Sequence, residues 1–152
     1  MTSTIFRICI LAVALASLPG ILPAQDARGL EGVWDVTVTV KDCKTGAQLN
    51  TLRALQSFGR DGSFSETTFT GTRGPSMGSW SANGQNANAQ YWFFRYKADG
   101  SFAALAKVSD TVTVKGEQFS ASGTVQDYDS RGGLSAGACF EHVGKRLAGP
   151  AN

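Results

Sequence analysis

Histidine occurs once in these 152 residues, cysteine three times and proline four times, and neither acids nor bases predominate. Each scarcity bears on function. With 14 basic against 12 acidic residues, the chain lacks the cationic face that neutralises phosphates, which argues against nucleic-acid binding. No G-x-S-x-G elbow, H-E-x-x-H helix or P-loop occurs. No cysteine has a second cysteine or a histidine at metal-ligand spacing. The segment Asp127–Gly133, DYDSRGG, has the acidic look of a calcium loop. However, Arg131 stands where a liganding Asp or Asn is wanted and Ala138 where the bidentate glutamate should be. Neither a metal nor a cofactor is expected.

Long apolar runs are also missing, apart from Ile8–Leu18 near the amino terminus, with Arg7 before it and Ala24 after it. That run is too short to cross a hydrocarbon core of ~30 Å as a helix, and it has the layout of a secretory signal cleaved after Ala24. Residues 1–24 are therefore expected to be a signal peptide, and residues 25–152 a single domain. The protein would be secreted or periplasmic, without a membrane span. Cys9 would leave with the leader, and no lipobox precedes it. Cys43 and Cys139 would remain in an oxidising compartment, where pairing is expected.

What is present is extended structure. In WDVTVTV, Trp34, Val36, Val38 and Val40 alternate with Asp35, Thr37 and Thr39, the period of a half-buried strand. FGRDGSF at Phe58–Phe64 returns as YKADGSF at Tyr96–Phe102. Each Asp-Gly lies between extended runs and reads as a hairpin corner, with Lys115-Gly116 as a third. Glycine supplies positive φ, the aspartate bonds the backbone ahead of it, and the flanking aromatics face each other across the pair. Eight extended runs are expected near 33–41, 50–58, 63–70, 77–83, 90–97, 102–114, 118–127 and 137–146, with no helix. Their connections include NGQNANAQ and DYDSRGGLSAG. This pattern predicts an all-β, eight-stranded antiparallel up-and-down barrel. Pairing Cys43 with Cys139, and Trp34 with Arg146, implies one antiparallel register of the first and last strands to within two positions.

Gly32-Val33-Trp34 opening the first strand, eight strands in series and Arg146 near the end together resemble the calycin or lipocalin-like architecture. The resemblance implies that the tryptophan sits at the closed end of the barrel beneath a late arginine, Arg146 or Lys145. The layout would cover most of residues 30–147. The chain also resembles small exported bacterial proteins, a likeness that supplies a shape and no activity.

Three functional readings stay open. The first is a small, largely apolar ligand held inside the barrel, against Trp34, Val36, Val38, Phe93, Arg95 and Asp110. Asp110 alternates in phase with Val108 and Val112, so it would bring a carboxylate into an apolar interior, where it must be paired or have a raised pKa. The second is a cofactor-free cyclase, isomerase or hydrolase using Asp110 or His142 with a tyrosine such as Tyr96. The third is an interaction or inhibitor module acting through loops. In Tyr91–Tyr96, Tyr91, Phe93 and Arg95 share one face, and Trp92, Phe94 and Tyr96 the other. One set would lie outside as a patch able to join copies into a homo-oligomer.

Overall fold

The computed structural model describes residues 27–84 and 86–148, and the expected signal peptide lies outside them. Eight antiparallel strands follow one another around a closed barrel. They are β1 (Gly32–Lys41), β2 (Gln48–Phe58), β3 (Ser63–Thr68), β4 (Ser76–Asn83), β5 (Asn86–Tyr96), β6 (Phe102–Lys115), β7 (Gln118–Tyr128) and β8 (Leu134–Arg146). Among the described residues no helix is long and apolar enough to cross a membrane.

Closure comes from β1 pairing with β8. The register runs from Trp34 opposite Arg146 to Lys41 opposite Cys139, so the last strand removes the free edge of the first. Cys43 and Cys139 are disulfide-bonded with Cα atoms 5.0 Å apart. The covalent tie therefore sits at one end of the seam, and Arg146 at the other.

The corners explain the order of the strands. Gly62 and Gly100 each have φ of 82°, which a Cβ would oppose. The Asp61 carboxylate accepts from the Ser63 N–H at 3.0 Å, and Asp99 accepts from that of Ser101 at 2.9 Å. Phe58 faces Phe64 across the first corner, ring centroids 5.0 Å apart. Tyr96 faces Phe102 across the second.

Two expected loops are shorter than their composition implies. Within NGQNANAQ the chain has already turned by Asn86, because Ala87 and Ala89 are buried between the exposed Asn86, Asn88 and Gln90. Polar outward residues disguised an alternating strand as a loop. β8 also starts earlier than expected, at Leu134 inside DYDSRGGLSAG, and its first four residues are all exposed, so no buried alternation marks its start.

The interior is graded along its axis. At the end away from the disulfide, Trp34 meets Phe119 edge to face at 5.0 Å, and Phe58 meets Phe64, Trp80 and Phe119. Gly144 makes this packing possible, since a Cβ there would lie 2.1 Å from Phe119 Cε1. A short 3-10 helix, Ala27–Leu30, covers this end. It was not expected from the sequence. The Trp34 indole N–H donates to the Leu30 carbonyl at 2.8 Å, and the Arg146 guanidinium lies 4.2 Å from the Trp34 ring centroid. The stacked cation and the buried indole match the calycin-like layout, with Arg146 in the stacking role.

The disulfide closes a long loop, with 96 residues of sequence separation. Replacing both cysteines by alanine is expected to lower unfolding free energy by about 3–5 kcal/mol, measured by urea denaturation. A change below about 1 kcal/mol would mean that backbone pairing alone holds the seam.

Candidate functional site

Halfway up the barrel, the alternation that buries apolar side chains also carries polar ones inward. Gln56 lies in phase with Ala54 and Phe58, Glu66 with Phe64, Asp110 with Val108 and Val112, and His142 with Phe140. All four polar residues are buried, as is Ser76 at the start of β4. Register aligns three of them, because Gln56 is opposite Glu66 and Glu66 is opposite Ser76.

Glu66 anchors the group. Its carboxylate accepts from Gln56 Nε2 at 2.8 Å and from the Ser76 hydroxyl at 2.9 Å, and it pairs with Arg73 Nη2. Arg73 comes from the β3–β4 connection. That segment runs beside β5 through the Gly74 N–H donating to the Phe94 carbonyl and the Tyr96 N–H donating to that of Thr72, both at 2.9 Å. So tethered, it sends the Arg73 guanidinium into the barrel, 3.7 Å from the Phe93 ring centroid. The Arg73 side chain is 9% exposed and that of Glu66 is fully buried. An ion pair this dry depends on its added hydrogen bonds to offset desolvation.

The second half of the cluster joins Asp110 and His142. They sit on β6 and β8 with β7 between them, where the inward positions are only Ala121 and Gly123. Small side chains there leave the space in which His142 Nδ1 comes to 3.8 Å from Asp110 Oδ2. Gln56 Nε2, 3.4 Å from the same Nδ1, links this pair to Glu66. His142 also stacks on Phe140, ring centroids 4.5 Å apart.

Burial sets the protonation states. Desolvation first, and the Glu66 charge second, raise the Asp110 pKa to about 7, against a weaker lowering by a hydrogen bond from the Ala89 backbone. Desolvation, followed by the Arg73 charge, lowers that of His142 to about 3. Near neutrality the imidazole is uncharged and the carboxyl is divided between its acid and its anion. Tyr91, wholly buried and stacked on Phe64 at 4.3 Å, is pushed well above its ordinary pKa by burial and then by Glu66 and Asp110. Two buried atoms of the cluster have no hydrogen-bond partner, Arg73 Nε and Asp110 Oδ1.

The structure brings Asp110 and His142 together. Tyr96 lies at the hairpin end of β5 beside Gly74, and the tyrosine whose titration feels Asp110 is Tyr91. Trp34, Val36, Val38 and Phe93 all point inward and are buried. Arg95 is at the disulfide-end mouth, bound to Asp127 at 2.9 Å and 4.9 Å from the Phe93 centroid. Gln56, Glu66, Arg73 and Ser76 are additions to the sequence reading, and Tyr91, expected on one face with Phe93 and Arg95, is buried. The alternation that singles out Asp110 also marks Gln56 and Glu66, whereas Arg73 lies in a loop where period two says nothing. Among the described residues, no three or more His, Cys, Asp or Glu side chains are grouped to hold a metal.

No family model, curated protein or solved structure matches the chain significantly.

The raised Asp110 pKa predicts a pH dependence of stability. Its contribution is fully present below its unfolded value near 3.8 and is lost as pH rises through about 7. His142 acts in the opposite direction, losing its contribution as pH falls from 6.5 toward about 3. Asp110→Asn removes only the first effect. The variant should therefore gain on the parent as pH rises from 4 to 7, by on the order of 1.4 kcal/mol per unit, and level off above. Urea unfolding at several pH values checks this, and a difference independent of pH would contradict it.

Proposed function

We propose that the protein is an exported, lipocalin-like barrel that binds a small, largely apolar molecule carrying one carbonyl or carboxyl head group. The observation behind this reading is the pair of unpartnered buried atoms, Arg73 Nε and Asp110 Oδ1, within one cluster. Leaving such groups dry and unbonded costs about 1–3 kcal/mol each, a cost that a ligand's polar head would remove. Entry would be from the disulfide end. There, Val40, Leu52 and Ala138 are only partly buried, and the Arg73 segment is held to β5 by few backbone bonds. The opposite end is filled with rings and capped by the 3-10 helix. The ligand's apolar body would lie against Val38, Phe93 and Phe140, and its head would take the Arg73 Nε–H donor and the Asp110 carboxyl.

The convergence of Asp110 and His142 favours a second reading, acid–base catalysis on such a ligand. A carboxyl titrating near 7 is suited to moving a proton at neutral pH, with the uncharged His142 imidazole beside it as a hydrogen-bonding partner. Turnover of a bound carbonyl compound, abolished by Asp110→Asn while binding persists, would favour this reading over simple carriage.

Titration with a naturally fluorescent polyunsaturated fatty acid tests the leading reading. Saturable binding at one site is expected, weakened by about tenfold or more in Arg73→Met. Binding that fails to saturate, or that Arg73→Met leaves unchanged, would overturn it.

A further inference from the structure

The outer wall of the barrel is divided by chemistry. On β1, β2 and β8 the outward positions carry charge, with Asp35, Lys41, Arg53, Glu141 and Lys145. On β4–β7 charge is missing from a continuous area. One cross-strand row reads Ser79–Gln90–Ser109–Thr124. The next reads Ser81–Asn88–Thr111–Ser122, and a third continues from Asn83 to Ser120. A soluble surface carries charge at roughly one position in three or four, so about three charges would be expected over such an area. All these residues are hydroxyls or carboxamides, which both donate and accept. The first two rows line a shallow concavity of about 510 Å³.

Immediately above these rows the same strands present aromatics. Trp92 is 38% exposed and Phe94 50%. Tyr128 lies 6.3 Å from the Trp92 ring centroid. These rings border a second concavity of about 540 Å³. Lys107, set over Trp92 at 5.4 Å, is the one cation in this row. Rows two residues apart are ~7 Å from each other, so platform and rows, from Asn86 to Phe94 on β5, together extend ~27 Å.

We infer that this wall binds neutral carbohydrate. Within the rows Gln90 donates to Ser109 at 3.5 Å, Thr111 to Asn88 at 3.3 Å and Thr113 to Asn86 at 2.7 Å. The partner must therefore serve the donors and acceptors that these cross-strand bonds leave over, without offering charge, and must present an apolar face to the rings. A sugar chain does both, with hydroxyls around its rim and C–H groups on its faces. An acidic or basic polymer would find no counter-charges in the three rows, and a purely apolar partner would bury their hydroxyls and amides unbonded. The inference does not depend on the interior site.

Trp92 supplies the reporter, because Trp34 and Trp80 are 0% and 9% exposed. The test is tryptophan emission of the parent protein with millimolar neutral α- and β-glucan, mannan and chitin oligosaccharides, alongside sulfated and uronic-acid oligosaccharides. The expected result is a saturable shift with at least one neutral series and none with the charged ones. Trp92→Phe should lose the shift, and Gln90→Glu with Ser109→Asp should weaken binding about tenfold or more by affinity electrophoresis. Silence across the neutral series would overturn the inference. So would an equal response to charged chains, or a Trp92 shift that tracks protein concentration alone and so reports a second copy.

Discussion

The pairing of β1 with β8 is the constraint from which the rest of the structure follows. An open eight-stranded sheet would expose two edges and one apolar face. Once Trp34 lies opposite Arg146 and Lys41 opposite Cys139, the face becomes an interior and both edges disappear. Closure also makes the central cluster possible. Gln56 and Glu66 already meet across the β2–β3 hairpin, but His142 on β8 and Asp110 on β6 reach them only because the tube brings all four around one axis. The same seam carries the two devices that hold its ends, the disulfide and the stack of Arg146 on Trp34.

Within the tube, burial and charge oppose each other. The Glu66–Arg73 pair keeps its ions by adding the Gln56 and Ser76 bonds. Asp110, with no cation as partner, responds by holding its proton toward neutrality, and His142 by giving its proton up. The result is an interior with little net charge near pH 7 but with titratable groups able to change it. An apolar core of the same shape would be simpler to fold, since removing a buried ion pair together with both partners is often neutral or stabilising. Stability alone therefore does not account for this cluster.

Much of the architecture could be read from the residues. The valine alternation of β1, the two Asp-Gly corners and the agreement between the Cys43–Cys139 and Trp34–Arg146 registers all correspond to observed elements. The start of β5 was hidden because Asn86, Asn88 and Gln90 resemble loop chemistry, although the interleaved alanines betray a strand. For the site, legibility ended where periodicity did. Asp110 was marked by its phase, and Glu66 and Gln56 carry the same mark. Arg73 carries none, because its inward path is set by backbone bonds between its segment and β5 that no local pattern encodes. Likewise, the meeting of Asp110 with His142 depends on Ala121 and Gly123, whose small size matters only once β7 is known to lie between them.

The barrel encloses a preorganised polar cluster in which Asp110 is held dry, 3.8 Å from an uncharged His142 and within reach of the Glu66 charge. A carbon-13 NMR titration of the Asp110 side-chain carboxyl in the intact protein tests it most directly. The expected midpoint is near 7, with the His142 ring remaining neutral down to well below its ordinary range. An Asp110 midpoint at the ordinary value of about 3.9, together with a His142 midpoint of about 6.5, would show instead a hydrated interior with no dry cluster.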